Sequence, residues 1–151
     1  MSRLITKEGF KKLQDELEER KGKIRQEIAQ AIKEAKEQGD LSENAEYSEA
    51  KRQQGENETR VAELEMLIKS SQVVKHNNSA KGIQMGSIVK VKFNGSEMEF
   101  QIVGSNEADP GNFRISNESP MGKAFMEKKK GDKVEVDTPS GKAKYTILDV
   151  K

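Results

Sequence analysis

Acidic side chains are crowded into one short stretch of this sequence, residues 34–49. Six carboxylates share the stretch with a single base, Lys36. The acids are Glu34, Glu37, Asp40, Glu43, Glu46 and Glu49. Like charges this close together repel one another, so the stretch costs stability, and a chemical role for the acids is worth considering.

Two of these acids, Asp40 and Glu43, are spaced for two kinds of role. Asp40-Leu41-Ser42-Glu43 has the spacing of a helix-capping box. The same two carboxylates can supply half of a hard-cation site, because Mg²⁺ prefers oxygen ligands and keeps much of its hydration. The two interpretations are compatible, since a cap fixes the carboxylate positions that an ion would use. An incomplete cation site implies that another molecule supplies the remaining ligands.

No other set of residues suggests a self-contained active site. The absence of cysteine excludes a disulfide framework, a thiolate nucleophile and a cysteine-bound zinc ion. The one histidine, His76, has no partner at metal-ligand spacing, and we interpret it as an ordinary surface residue. No glycine-rich phosphate-binding loop is present. Just beyond the acids, Lys51 and Arg52 supply the opposite charge.

The acids must be positioned by the segments that flank them. Before Gly39, apolar residues recur at intervals of three and four, which predicts a helix over residues 7–38 that is capped by Thr6. These residues are Phe10, Leu13, Leu17, Ile24, Ile28, Ala31 and Ala35. Gly39 can adopt the left-handed conformation that ends a helix, and Asp40 can begin the next one.

A second helix is predicted to run from Asp40 to the end of the periodic pattern. Its apolar positions are Ala45, Ala50, Val61, Leu64, Leu67 and Ile68. Folding back places Ala50 beside Ala35, so residues 7–70 are predicted to form an antiparallel helical hairpin with coiled-coil packing. The tip should be slender and weakly stabilised, because alanine buries little area and residues 51–60 contain no apolar side chain.

The pattern changes in the second half of the chain. Residues 71–85 are predicted to be a linker, after which apolar and polar residues alternate as they do in strands. The alternating apolar residues are Val89, Val91, Phe93, Met98, Phe100, Ile102, Val134, Val136, Tyr145 and Ile147. Asn94-Gly95 predicts a two-residue hairpin turn, and residues 138–141 predict a second turn. Ser119-Pro120 is expected to begin a short helix that ends near Glu127.

Together these patterns predict an α+β protein with two domains. Residues 1–75 form the helical hairpin with its acidic tip, and residues 76–151 form a small antiparallel β domain with one short helix. A net charge of +1 argues against a general nucleic-acid binder. No run of about 20 apolar residues could span a membrane. Residues 1–15 lack the apolar run of a signal peptide, so we expect a cytoplasmic protein.

One stretch of the acidic region resembles a family signature. Gly39-Asp40-Leu41-Ser42-Glu43-Asn44-Ala45-Glu46-Tyr47 is similar to the G-D-L-x-E-N-A-E-Y motif of the GreA/GreB family of bacterial transcript cleavage factors. The likeness covers nearly the whole chain, with further matching stretches at residues 28–35, 53–55, 102–104, 107–109, 115–116, 119–120 and 138–141. A sparse basic patch places the chain closest to the GreA branch. Ser42 stands where the family often has a basic residue, which implies weaker contact with RNA.

The resemblance implies a fold and a function. In this family a coiled coil enters the secondary channel of bacterial RNA polymerase, and a C-terminal domain similar in fold to FKBP docks at the channel mouth. When polymerase backtracks, the factor stimulates the polymerase's own active site to cleave the nascent transcript. The factor is therefore not itself an enzyme. We expect a monomer that contacts polymerase and the RNA 3′ end but no membrane.

The resemblance also implies roles for individual residues. Asp40 and Glu43 match the tip acids, which are thought to hold the second catalytic Mg²⁺; the ion is shared with the polymerase active site and is not bound by the free protein. Lys51 and Arg52 match a basic region that is associated with RNA contact, although both can equally be charges on a helix face. Ser119-Pro120 matches a polymerase-contacting region and can equally be a helix cap.

Two other functions fit parts of the sequence. A channel-binding inhibitor or initiation regulator would share the hairpin without a cleavage role; the intact Asp40 and Glu43 argue against it, and a transcript-cleavage assay separates the two. A peptidyl-prolyl isomerase or chaperone is suggested by the FKBP-like domain. Isomerase pockets of that fold are lined with aromatic side chains. The second half of the chain has five aromatic residues, and the sheet core needs several of them. The five are Phe93, Phe100, Phe113, Phe125 and Tyr145.

Overall fold

The chain divides into two compact units. The computed structural model describes residues 3–40, 44–77 and 82–151. One unit is helical and comprises Lys11–Ser70, and the other is built mainly of strands and comprises Met1–Phe10 and Ser71–Lys151. Within the described part of the chain, no helix is both long and apolar enough to cross a bilayer.

The first arm of the hairpin is a long helix that contains one wider turn. Its pieces are α1 (Lys7–Glu19), a π-helical turn (Arg20–Ile24) and α2 (Arg25–Glu37). The Oγ1 of Thr6 accepts a 3.1 Å hydrogen bond from the N–H of Gly9, so the predicted cap is confirmed. The predicted helix is confirmed as well, apart from the π turn, which the spacing of apolar residues did not reveal.

The second arm, α3 (Ala45–Ser70), begins later than predicted. Its N-cap is Asn44, whose Oδ1 accepts a 3.1 Å hydrogen bond from the N–H of Tyr47. The Nδ2 of Asn44 donates a 2.8 Å bond to the carbonyl oxygen of Ala35 in the first arm. An aspartate has no N–H to donate, so only an amide can make both bonds. The prediction that Asp40 begins the second helix was therefore wrong.

The two arms pack antiparallel, as predicted. A bidentate ion pair joins Arg25 to Glu58 at 2.7 and 2.8 Å, and Glu16 pairs with Arg60 at 2.9 Å. The buried residues of the described seam are Ile28, Ala35, Ala50, Asn57, Val61 and Leu64. Alanine lies toward the turn and larger aliphatic residues lie farther from it. The tip is therefore slender, because the distance between packed helices depends on the side chains at their contact.

Two short strands form a parallel pair in the other unit. β1 (Arg3–Thr6) pairs with β2 (Ser71–Val74), and Ile5 lies opposite Val73. The prediction that residues 71–85 form a linker was therefore wrong for the first four of them. A strand of four residues shows too little alternation to be recognised, and its partner is remote in sequence. This pairing assigns both ends of the predicted hairpin domain to the strand-rich unit.

A five-stranded sheet forms the rest of this unit, with the strand order β5-β4-β3-β7-β6. Its strands are β3 (Ile88–Phe93), β4 (Ser96–Val103), β5 (Arg114–Ser116), β6 (Lys133–Thr138) and β7 (Gly141–Val150). Asn94 and Gly95 join β3 to β4 with φ angles of 49° and 80°, so the predicted hairpin turn is confirmed. The predicted turn between β6 and β7 is confirmed by their antiparallel pairing.

One pairing in this sheet differs from the predicted antiparallel domain. β5 runs parallel to β4, with Ile115 opposite Ile102, whereas the other three pairings are antiparallel. A parallel pair needs a crossover connection. The connection here includes a short 3₁₀ turn at Pro110–Asn112. The predicted α+β class, a helical hairpin plus a β domain with one short helix, is confirmed.

The short helix α4 (Pro120–Phe125) closes the core of the sheet. Ser119 is its N-cap, as predicted, and accepts a 3.0 Å hydrogen bond from the N–H of Gly122. A side chain at Gly122 would begin 1.9 Å from the carbonyl oxygen of Ser116, so only glycine permits this approach. Phe125 is fully buried. The core residues are Ile83, Val89, Val91, Phe100, Ile102, Phe125, Val134, Val136 and Ile147.

A buried carboxylate, Glu107, joins the beginning of α1 to the sheet. It accepts hydrogen bonds from the N–H of Thr6 at 2.9 Å, from the Oγ1 of Thr6, and from the N–H of Gly104 at 3.0 Å. Arg114 lies 3.6 Å away, and the Glu107 side chain is only 5% exposed. A side chain at Gly9 would collide with this carboxylate at 2.0 Å. Several hydrogen-bond donors and a nearby guanidinium therefore compensate the buried charge of Glu107.

We expect Glu107→Gln to lower the free energy of unfolding by about 2 kcal/mol, because a neutral amide is a weaker acceptor and leaves Arg114 without its counter-charge. Urea unfolding monitored by circular dichroism measures the effect. The matched control is Glu118→Gln, an exposed acid of the same unit, which should change stability by less than about 0.5 kcal/mol. Equal effects of the two substitutions would show that the Glu107 contacts contribute nothing specific.

Candidate functional site

The end of the first arm positions Asp40 at the tip of the hairpin. The N–H of Gln38 donates a 3.2 Å hydrogen bond to the carbonyl oxygen of Ala35, and the N–H of Gly39 donates one of 3.3 Å to the carbonyl oxygen of Lys36. Gly39 then has a φ of 113°, which a residue with a side chain rarely adopts, and so the chain leaves the helix. Asp40 follows and is exposed. Glu43, its predicted partner, lies outside the described residues.

Arg52 neutralises part of the acidic stretch. Its guanidinium binds Glu49 through two nitrogens, with the Nε at 2.9 Å, and it also binds Glu56. The hydrogen bonds from Arg52 lower the pKa of Glu49 to about 2. The same bonds raise the pKa of Arg52. Glu49 is therefore paired within α3.

The two predicted RNA-contacting residues have different surroundings. Both Lys51 and Arg52 are exposed on α3. The Nζ of Lys51 donates a 2.8 Å hydrogen bond to the neutral amide of Gln54. Arg52 already binds two carboxylates, with which an RNA phosphate would have to compete. Lys51 is therefore the better placed of the two to contact a phosphate.

The donor chemistry of the tip fits a shared Mg²⁺ ion. Asp40 presents a carboxylate, the type of oxygen ligand that Mg²⁺ takes while it keeps several waters. In residues 3–40, 44–77 and 82–151, no three or more histidines and acids are close enough together to hold a metal ion. Asp40 can therefore supply one oxygen ligand of such an ion.

Ser119 is occupied by local structure, whereas Pro120 is exposed. The Oγ of Ser119 accepts a hydrogen bond from Gly122 and donates one of 2.7 Å to the carbonyl oxygen of Ser116. Glu118 and Pro120, on either side of Ser119 in sequence, are exposed. The helix-cap interpretation of Ser119 is confirmed. A polymerase-contacting role for Ser119-Pro120 stays a prediction, with Pro120 as its more accessible member.

The remaining predicted groups do not form a second site. His76 is exposed, and its Nε2 lies 3.3 Å from the Oγ of Ser87. Four of the five aromatic residues of the second half pack on one another in the strand-rich unit, whereas Phe113 is exposed. Phe93 stacks on Tyr145 with ring centres 4.7 Å apart, and Phe100 meets Phe125 edge-on at 5.0 Å. These contacts give no support to the isomerase alternative.

Three polar residues with structural roles were missed in the sequence. Asn44 caps α3, Asn57 is buried in the hairpin seam, and Glu107 is buried beside β1. Asn44 could have been found, because asparagine before a helical pattern is a strong N-cap signal. Asn57 and Glu107 gave no such signal, since each lies in a polar stretch and acquires its partners only on folding.

Comparison with known proteins places the chain in a family. The family model "Transcription elongation factor, N-terminal" matches residues 3–73, and "Transcription elongation factor, GreA/GreB, C-term" matches residues 78–151. Transcription elongation factor GreA of Clostridium perfringens (strain SM101 / Type A) is 49% identical over 152 residues, which cover 98% of this chain and 96% of that protein.

Two further relatives complete the comparison. Transcription elongation factor GreA of Clostridium botulinum (strain Langeland / NCTC 10281 / Type F) is 50% identical over 151 residues, which cover 97% of this chain and 94% of that protein. The crystal structure of GreA factor homolog 1 (Gfh1) of Thermus thermophilus is 27% identical, covers 100% of this chain and 99% of its own, and has a TM-score of 0.45. From the two family models and the identity to the GreA proteins, we conclude that the chain belongs to the GreA/GreB family of transcription elongation factors.

Proposed function

We propose that this chain is a transcript cleavage factor that acts on bacterial RNA polymerase. Its hairpin enters the secondary channel of a backtracked polymerase and brings Asp40 and Glu43 to the extruded RNA 3′ end. The polymerase then hydrolyses its own transcript. The observation that carries the proposal is the exposed Asp40 at the chain reversal, within the motif of residues 39–47.

The slender tip supports entry into a narrow channel. Near the reversal the seam buries alanine side chains, Ala35 and Ala50, so the two arms lie close together. Asn44 bonds both arms there, which holds the turn together without bulk. Such a tip has a small cross-section, but it buries little apolar area and is therefore less stable.

In the proposed reaction, Asp40 and Glu43 would hold an Mg²⁺ ion shared with polymerase. When two such ions are bound, they stabilise the entering and leaving oxygens of an in-line phosphoryl displacement. Asp40 would supply a carboxylate oxygen from the tip, and Lys51, which is exposed on α3, would supply a positive charge for an extruded phosphate. The factor contributes part of an active site, and the rest belongs to polymerase.

The strand-rich unit provides the proposed docking surface at the channel mouth. Pro120 and Glu118 are exposed at the beginning of α4, which Gly122 packs tightly against the sheet. A rigid anchor of this kind raises the effective concentration of the tip near the polymerase active site. The factor is proposed to act as a monomer.

The tip acids provide the first test of the proposal. Asp40→Asn and Glu43→Gln keep side-chain size but remove the charge that binds a metal ion. Added to a purified backtracked elongation complex with labelled RNA and Mg²⁺, each variant should stimulate cleavage at least tenfold less than the wild type, about 1.4 kcal/mol in the barrier. The matched control is Glu37→Gln, an exposed acid at the end of α2, which should stay within about twofold. Near-normal cleavage by both tip variants, with polymerase binding verified, would exclude the metal-ligand role.

The docking surface provides the second test. Ser119→Asp adds a charge while it preserves the cap, because aspartate is also a good N-cap residue. Aspartate cannot donate the bond that Ser119 makes to the carbonyl oxygen of Ser116, so some stability is lost. We expect the variant to remain folded by circular dichroism and its Kd for polymerase to rise at least about threefold, measured well below its unfolding midpoint. Ser140→Asp, in the exposed turn between β6 and β7, is the control and should leave the Kd unchanged. An unaltered Kd for Ser119→Asp would assign Ser119 to helix capping alone.

A further inference from the structure

Asn57 is a buried polar residue in the middle of the hairpin seam, where the neighbouring seam residues are aliphatic. It is only 3% exposed. Its Nδ2 donates a 3.1 Å hydrogen bond to the backbone carbonyl oxygen of Arg20 in the opposite arm. Its Oδ1 accepts a 3.2 Å bond from the Nη1 of the same arginine. Both ends of the amide are therefore committed to one residue across the seam.

The bonded carbonyl belongs to the first residue of the π turn. A π-helical turn replaces the usual hydrogen bonds between residues four apart, so it disturbs the carbonyls of an α-helix, and such turns recur at functional positions. Here Arg20 begins the turn, and Gly22 lies inside it. Asn57 thus binds the first arm at its one described departure from α-helical geometry.

Charged neighbours hold Arg20 in place for this contact. The Nε of Arg20 donates a 2.9 Å bond to Glu16. Arg60, one turn beyond Asn57, binds the same carboxylate through its Nε at 2.9 Å and its Nη2 at 3.1 Å. These bonds lower the pKa of Glu16, with Arg60 as the largest cause. Glu16, Arg20, Asn57 and Arg60 form a continuous polar network across the two arms.

Two asparagines of the second arm therefore donate to backbone carbonyls of the first. Asn44 bonds to Ala35 beside the tip, and Asn57 bonds to Arg20 farther back. The two carbonyl groups that accept these bonds are fifteen residues apart in the first arm, whereas the two asparagines are thirteen residues apart in the second. The π turn takes up part of the difference, because it uses more residues for one turn than an α-helix does. The hydrogen bond of Asn57 and the extra residue of the π turn are therefore both consistent with the same alignment of the two arms.

We propose that Asn57 is a positioning residue that fixes the register of α3 against the first arm and so sets where the tip acids stand. Apolar contacts are non-directional, and small alanines fit one another in more than one alignment. A hydrogen-bonded amide in such a seam is satisfied in one register only; in coiled coils a single buried asparagine specifies register at a cost in stability. The link to the tip acids rests on the proposed cleavage function, whereas the register itself does not.

The register can be measured directly because the chain has no cysteine. Spin labels are attached to cysteines introduced at Ala29 on α2 and Ala62 on α3, two exposed positions that are offset along the hairpin. Pulsed electron paramagnetic resonance then gives the distance distribution between the labels. With Asn57 present we expect one narrow peak. With Asn57→Leu we expect a broadened or second peak displaced by up to about 5 Å, one helical turn.

Two further variants isolate the hydrogen bond from hydrophobicity and folding. Asn57→Asp keeps the size and the acceptor but removes the Nδ2 donor, and it should also broaden the distribution. Thr59→Leu adds an apolar side chain at an exposed position of α3 and should not. Helicity by circular dichroism identifies a variant that fails to fold, in which case the remaining Asn57 variant decides. A single unchanged peak in the folded Asn57 variants would overturn the proposal.

Cleavage assays test the link to the tip. If Asn57 positions the acids, Asn57→Leu should lower the maximal cleavage rate at saturating factor at least about threefold, while the factor concentration for half-maximal stimulation stays the same. A merely destabilising change would be relieved at low temperature and would not displace the distance peak. An unchanged maximal rate with a displaced peak would overturn the positioning role. If the wild type itself stimulated no cleavage, the proposed function would fail while the distance measurement still decided the register.

Discussion

The hydrogen bonds of Asn44 hold the two arms of the hairpin together where the chain reverses. One amide caps α3 and also bonds the carbonyl oxygen of Ala35 in the first arm. The seam beside it consists of alanine, which buries too little area to hold the arms by hydrophobic contact alone. A slender tip therefore depends on directional polar bonds. Asn57 and the ion pairs of Glu16 and Arg25 repeat this arrangement farther along the seam.

The two units are stabilised by different means. The strand-rich unit has a conventional core in which Phe125 meets Phe100 and Tyr145 edge-on. The helical unit has few buried apolar residues and relies on ion pairs, which contribute modestly when exposed and are weakened by salt. This contrast matches the proposed division of labour: a firm anchor needs a packed core, and a probe for a narrow channel needs small side chains. Glu107 adds a buried charge where α1 begins.

Much of the fold could be predicted from the sequence because it follows from local periodicity. The hairpin arms, the Asn94-Gly95 turn and the Ser119 cap all depend on residues close together in the chain. The errors arose where partners are remote. β2 follows the hairpin in sequence and pairs with β1, which precedes it. β5 lies parallel to β4 through a crossover connection. Neither arrangement leaves a pattern within the short strands themselves.

The candidate site was predictable in outline but not in its internal contacts. The motif of residues 39–47 located the tip, yet the helix begins at Ala45 rather than Asp40, because an amide can bond both arms and a carboxylate cannot. Arg52 and Lys51 carry equal charge in the sequence. Only the structure distinguishes an arginine bound by two carboxylates from a lysine bound to a neutral amide.

In the proposed function, the tip carboxylates supply an Mg²⁺ ligand to an active site that polymerase completes. The Mg²⁺ dependence of transcript cleavage at saturating factor tests this claim most directly, because a ligand for the ion changes its affinity whereas a helix cap does not. We expect the Mg²⁺ concentration for half-maximal cleavage to be at least about tenfold lower with the wild type than with Asp40→Asn, a difference of about 1.4 kcal/mol in binding. Excess Mg²⁺ should partly restore the variant. Identical Mg²⁺ dependence of the two proteins, with a lower rate for the variant at every concentration, would show that Asp40 is not a ligand of the ion.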